Sequence, residues 1–119
     1  MRVYLLLASI VIVAACGSDS PTQSGGVNTN KTVDIFTVGD QFSPTFATLA
    51  PGDTARWNFA GGSDNMGHNV RFPAPKPAGT PADINVLKTG TSSRVFTTKG
   101  TFNYVCDVHP GMNAQILVQ

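Results

Sequence analysis

Apolar and polar side chains alternate along most of the chain beyond residue 30, and the period is two. Thr54-Ala55-Arg56-Trp57-Asn58-Phe59 puts Ala55, Trp57 and Phe59 on one side, as a half-buried strand requires. His68, Val70 and Phe72 share a side in the same way, as do Phe102, Tyr104 and Cys106, and then Ala114, Ile116 and Val118. Val33 to Val38 and Ser92 to Thr97 are further strands, and Thr45 to Ala50 can run extended. Turn signals separate them: Gly39-Asp40, Phe42-Ser43-Pro44, Pro51-Gly52-Asp53 and Lys99-Gly100. Residues 73–81 hold four prolines, which suit neither a helix nor a central strand. Ala82 to Lys88 is ambiguous and fits a short helical turn. No internal repeat is present. Seven to eight short strands at near-regular spacing predict an all-β sandwich.

The first thirty residues break this pattern. Met1 to Tyr4 is short and singly positive, and Leu5 to Ala15 is apolar apart from Ser9. That run falls short of the roughly 20 residues of a membrane span and fits an export leader over residues 1–15. It ends in Val13-Ala14-Ala15-Cys16-Gly17, which resembles the lipobox of bacterial lipoproteins. The resemblance implies that Cys16 is lipidated and becomes the first mature residue. Gly17 to Asn30 is Ser, Gly, Thr, Asn, Gln and Pro with one Asp and one Val, so residues 16–30 are expected to be a flexible tether. The folded domain is expected over residues 31–119. No Asp directly follows Cys16, which by analogy with lipoprotein sorting favours the outer membrane where the host has one.

Charge adds mainly exclusions. The chain has eight Lys plus Arg, and its seven acidic residues are all Asp. Loss of Arg2 with the leader leaves the remainder neutral. A nucleic-acid partner, which needs a basic face, is not expected, and strong steering by net charge is not expected either. With no Glu and scattered Asp, there is no hydrolytic apparatus, and the protein is expected not to be an enzyme.

The chemistry is concentrated near the C-terminus. Cys106, His109 and Met112 fall within Tyr104-Val105-Cys106-Asp107-Val108-His109-Pro110-Gly111-Met112, and His68 lies upstream in Gly67-His68-Asn69-Val70. Two imidazoles, one thiolate and a weak thioether form the donor set of a blue-copper electron-transfer site. The thioether disfavours zinc. If Cys16 is lipidated, Cys106 has no disulfide partner in the chain, and ligation would protect a lone thiol in an oxidising compartment. Cys106 and His109 could also form a nucleophile pair, but in a tight loop with no third orienting group they suit chelation better.

These segments resemble the small blue copper proteins, or cupredoxins: plastocyanins, amicyanins and pseudoazurins. The resemblance covers roughly Val33 to Gln119 and includes Pro51-Gly52-Asp53-Thr54 followed by Trp57. It implies a Greek-key β-sandwich holding one type 1 copper ion, with His68, Cys106 and His109 equatorial and Met112 axial. The short gap between His109 and Met112 is of the amicyanin type. Asp107 stands where family members often carry Ser or Thr; if ionised near copper it is expected to favour Cu(II). Val105 stands where plastocyanins have Tyr.

The function implied is one-electron shuttling between envelope redox partners, such as cytochromes or oxidoreductases, by a monomer held at the membrane through its lipid. Electrons are expected to leave by an exposed edge of His109. Pro110, Gly111, Met66 and part of Pro73 to Pro77 are expected to surround it as an uncharged rim. The alternative is a periplasmic copper carrier or buffer that hands over the ion itself.

Overall fold

The structure is a computed structural model that describes residues 30–119. The expected leader, Cys16 and all of the expected tether except Asn30 lie outside the described residues. Nine strands form, and no helix is found among the described residues. They are β1 (Thr32–Val38), β2 (Gln41–Ser43), β3 (Phe46–Leu49), β4 (Asp53–Phe59), β5 (His68–Val70), β6 (Ile84–Leu87), β7 (Gly90–Phe96), β8 (Gly100–Val105) and β9 (Asn113–Val118).

One sheet has the order β2-β1-β4-β7 and a second β3-β9-β8, while β5 and β6 pair with each other. The chain therefore shuttles between layers, and parallel pairs arise between β1 and β4 and between β3 and β9. The β5–β6 pair joins the second sheet through a bridge between Arg71 and Val105. This is the all-β sandwich the alternation predicts. Every inward face expected from the pattern is buried: Ala55, Trp57 and Phe59; Val70 and Phe72; Phe102, Tyr104 and Cys106; Ala114, Ile116 and Val118.

Aromatic side chains from both layers fill the space between them. Trp57 of β4 meets Tyr104 of β8 edge-on at 5.5 Å, and Phe96 of β7 meets Phe102 of β8 at 5.1 Å. Such pairs contribute about 0.5–1.5 kcal/mol each beyond the burial of their area. They also fix β8, and hence Cys106 just past its end, against the opposite sheet.

Two strands differ from expectation. Gln41–Ser43, which overlaps the turn expected at Phe42-Ser43-Pro44, pairs antiparallel with β1, Phe36 opposite Ser43 and Val38 opposite Gln41. Ile84–Leu87, in the stretch whose pattern is ambiguous and fits a short helical turn, is the partner of β5. Both are short and take their conformation from the strand beside them, a context that local pattern does not carry.

Candidate metal centre

His68 opens β5, and the residue before it explains its placement. Gly67 has φ +87°, and a Cβ there would lie 2.7 Å from the carbonyl oxygen of Leu87 in β6. Only glycine allows the chain to turn this tightly against its partner strand. Cys106 follows β8, and its N–H donates to the carbonyl of Met112 at 2.9 Å, while the N–H of Met112 donates to the carbonyl of His109 at 3.1 Å. These two bonds close the loop that carries Cys106, His109 and Met112.

Three ties hold the His68 strand to that loop. Arg71 and Val105 exchange both backbone bonds at 2.9 Å. The side chain of Asn69 accepts the N–H of Asp107 at 2.7 Å and donates Nδ2–H to Asp107 Oδ2 at 3.0 Å. Arg71 Nε pairs with Asp107 at 2.6 Å. Asp107, expected as a charge beside the metal, is thus an exposed carboxylate turned toward Arg71. Its pKa is lowered, first by Asn69 and then by Arg71.

The result is convergence of the donors. Sγ of Cys106 lies 3.9 Å from Nδ1 of His68 and 3.6 Å from Nδ1 of His109. One donor atom from each of the three residues falls within 4.8 Å of the others. Thiolate and imidazole bound to a first-row ion at about 2.3 and 2.0 Å, at trigonal angles, stand roughly 3.7 Å apart. The observed spacing fits a shared ion. His68 is fully buried, and Cys106 and Met112 are nearly so. Met112 belongs to the same apolar cluster as Cys106. Burial, and then neighbouring His109, lower the pKa of His68, which favours the neutral imidazole that a metal needs.

His109 differs from expectation. It is more enclosed than an open edge would be: the residue is 6% accessible. The β4–β5 loop covers it, and a Cβ on Gly62 would stand 2.8 Å from ring atoms Cε1 and Nε2. Nε2 lies 3.2 Å from Asp64 Oδ1 and 3.5 Å from Asp40 Oδ1. The pKa of His109 is raised, first by its contact with Cys106; burial opposes this, and Asp64 and Asp40 add to it. Instead of an uncharged surround, two half-exposed carboxylates flank this ring, while Met66 nearby in sequence is exposed as expected. The sequence contains no local signal for Asp40 and Asp64, which arrive from separate loops.

A family model described as copper binding proteins, plastocyanin/azurin family, matches residues 32–119. Among solved structures, a methionine-to-alanine mutant of amicyanin in the Cu(I) form is similar, with 24% identity and a TM-score of 0.63. The match covers 74% of this chain and 82% of that one. An oxidised proline-to-alanine mutant of amicyanin matches at 25% identity and TM-score 0.63, over 74% and 82% of the two chains. A copper-containing nitrite reductase from Thermus scotoductus SA-01 matches at 21% identity and TM-score 0.63, over 74% of this chain but 22% of the enzyme. No curated protein matches significantly.

Proposed function

The chain belongs to the plastocyanin/azurin family of copper-binding proteins, and on that premise we propose that it is a one-electron carrier of the cell envelope rather than an enzyme. The reading is carried by one observation: a thiol and two imidazoles, all buried, converge within 4.8 Å. His68, Cys106 and His109 hold the copper in this reading, with Met112 as the weaker fourth donor. Bound copper supplies a Cu(II)/Cu(I) couple at this point.

The protein's part is to hold the donors still. Cys106 and His109 share a loop closed by two backbone bonds, and His68 is tied to it through Asn69 and Arg71. A frame this constrained resists rearrangement when charge changes, which keeps the barrier to electron transfer low. The aromatic core and the β4–β5 loop exclude water from the donors. That burial also disfavours the alternative of a carrier that releases the ion, because transfer of copper needs accessible ligands.

The remaining parts of the reading follow from the sequence. Residues 1–15 direct export, Cys16 carries lipid, and residues 17–30 tether a monomeric domain over 31–119 to the envelope, on the outer membrane where there is one. Cytochromes or oxidoreductases there are the expected transient partners, met over a small area.

Cu(II) titration of the purified protein tests the reading. An intense visible thiolate-to-copper absorption at one equivalent is expected, and it disappears in Cys106→Ser. Electron exchange with a small redox reagent should outpace release of copper to a chelator. A colourless copper complex, or copper release faster than electron exchange, would refute the proposal.

A further inference from the structure

Most of the described carboxylates have an evident structural partner. Asp34 pairs with Arg56, Asp83 with Lys76 and Asp107 with Arg71, and Asp53 accepts the N–H groups of Lys31 and Ala50. Asp40 and Asp64 are different: among the described residues no Lys or Arg pairs with either, and both face Nε2 of His109. Each is also held in place. Asp64 Oδ1 accepts the N–H of Met66 at 2.9 Å, two residues on. Asp40 accepts the N–H of Ser63 at 3.2 Å and its hydroxyl at 2.9 Å. The N–H of Asn65 donates to the carbonyl of Gly62 at 3.0 Å, tightening the loop between them.

Imidazole has one ring nitrogen for the ion and one for something else, and the bond made by the second decides which way the ring presents itself. At His109, Nδ1 faces Cys106 and Nε2 faces the carboxylates. The 3.2 Å contact to Asp64 is within hydrogen-bond range, whereas 3.5 Å to Asp40 is not, so Asp40 acts through its charge.

We propose that Asp64 is a positioning residue for the metal centre: its carboxylate accepts the Nε2 proton of His109, leaving the Nδ1 lone pair directed at the ion beside Cys106. Asp40 reinforces the same polarity. A carboxylate behind a ligating imidazole raises its basicity and favours the higher charge state of the ion. This rests on the copper reading above and adds to it a residue outside the four donors.

The test uses the full chain and compares Asp64→Ala and Asp64→Asn with Asp34→Asn, which removes the same charge on β1. In the metal-free protein above neutral pH, ring nitrogen NMR should find the His109 proton on Nε2. In the Cu(I) form that proton should exchange slowly with water. Asp64→Ala should speed the exchange and lower Cu(II) affinity roughly 10-fold, within the range known for such outer partners, with Asp64→Asn between it and the parent. If Cu(I) affinity is unchanged, tenfold corresponds to a rise of about 59 mV in potential. Asp34→Asn should do neither.

Exchange and affinity within about twofold of the parent in Asp64→Ala, or an equal loss in Asp34→Asn, would overturn the proposal. Should Asp64→Ala fail to fold, the isosteric Asp64→Asn decides by the same criteria. Absence of a thiolate–copper band in the parent would refute the copper reading instead, and the metal-free ring measurement would still decide the Asp64 bond.

Discussion

Asn69→Ala removes two of the bonds that tie the His68 strand to the Cys106 loop. One bond accepts the backbone N–H of Asp107 at 2.7 Å, and the other donates to its carboxylate at 3.0 Å. A net contribution of about 0.5–1.5 kcal/mol is usual for each bond. The carboxylate bond belongs at the low end, because Asp107 is exposed and water can replace the amide. The loss should therefore total about 1.5 kcal/mol, a fall of roughly 6–12 °C in Tm for a domain of this size.

A double-mutant cycle with Asp107→Ala sharpens the expectation. That second change removes the carboxylate but keeps the backbone N–H. The coupling between positions 69 and 107 should then be only about 0.5 kcal/mol, and most of the cost of Asn69→Ala should survive in the Asp107→Ala background. Denaturant unfolding of the four metal-free proteins measures this. A loss under about 0.5 kcal/mol for Asn69→Ala, or one that vanishes when Asp107 is already Ala, would refute the division.

Other outcomes follow from the same structure. Gly62→Ala puts a methyl 2.8 Å from the His109 ring; overpacking of this kind costs about 1–3 kcal/mol, and the Cu(II) electron-spin spectrum should change with it, so an unchanged spectrum and stability would contradict the contact. Asp53 has a lowered pKa because the N–H groups of Ala50 and Lys31 donate to it. The stability it contributes is present above the ordinary carboxylate pKa and drains away as pH falls through the folded value. Asp53→Asn should be less stable near neutrality and lose less on acidification, and identical slopes in the two proteins would argue against this. Asp107→Asn should move the copper potential less than Asp64→Asn, because Arg71 already offsets Asp107; voltammetry on both variants checks the order.

The sequence determined which side of most strands faces inward. Trp57 sits between Arg56 and Asn58, and Ala55, Trp57 and Phe59 alternate with polar residues; a period of two leaves one solution once one face must be buried. It also marked candidate donors, because Cys106, His109 and Met112 share one short loop and a thiolate, imidazole and thioether set has few other uses. The gathering of His68 into that set was expected from family resemblance, and the geometry has its Nδ1 3.9 Å from Cys106 Sγ.

Only tertiary structure decided the rest. Gln41–Ser43 and Ile84–Leu87 are three- and four-residue strands whose pairing comes from β1 and β5, and such short segments carry too little pattern of their own. The burial of His109 depends on Gly62 and on Asp64, the latter 45 positions away in sequence. Periodicity reports which face of a strand is dry, since that is a property of neighbours along the chain. Which loops fold over the metal end depends on contacts between distant segments, and these exist only once the layers have packed.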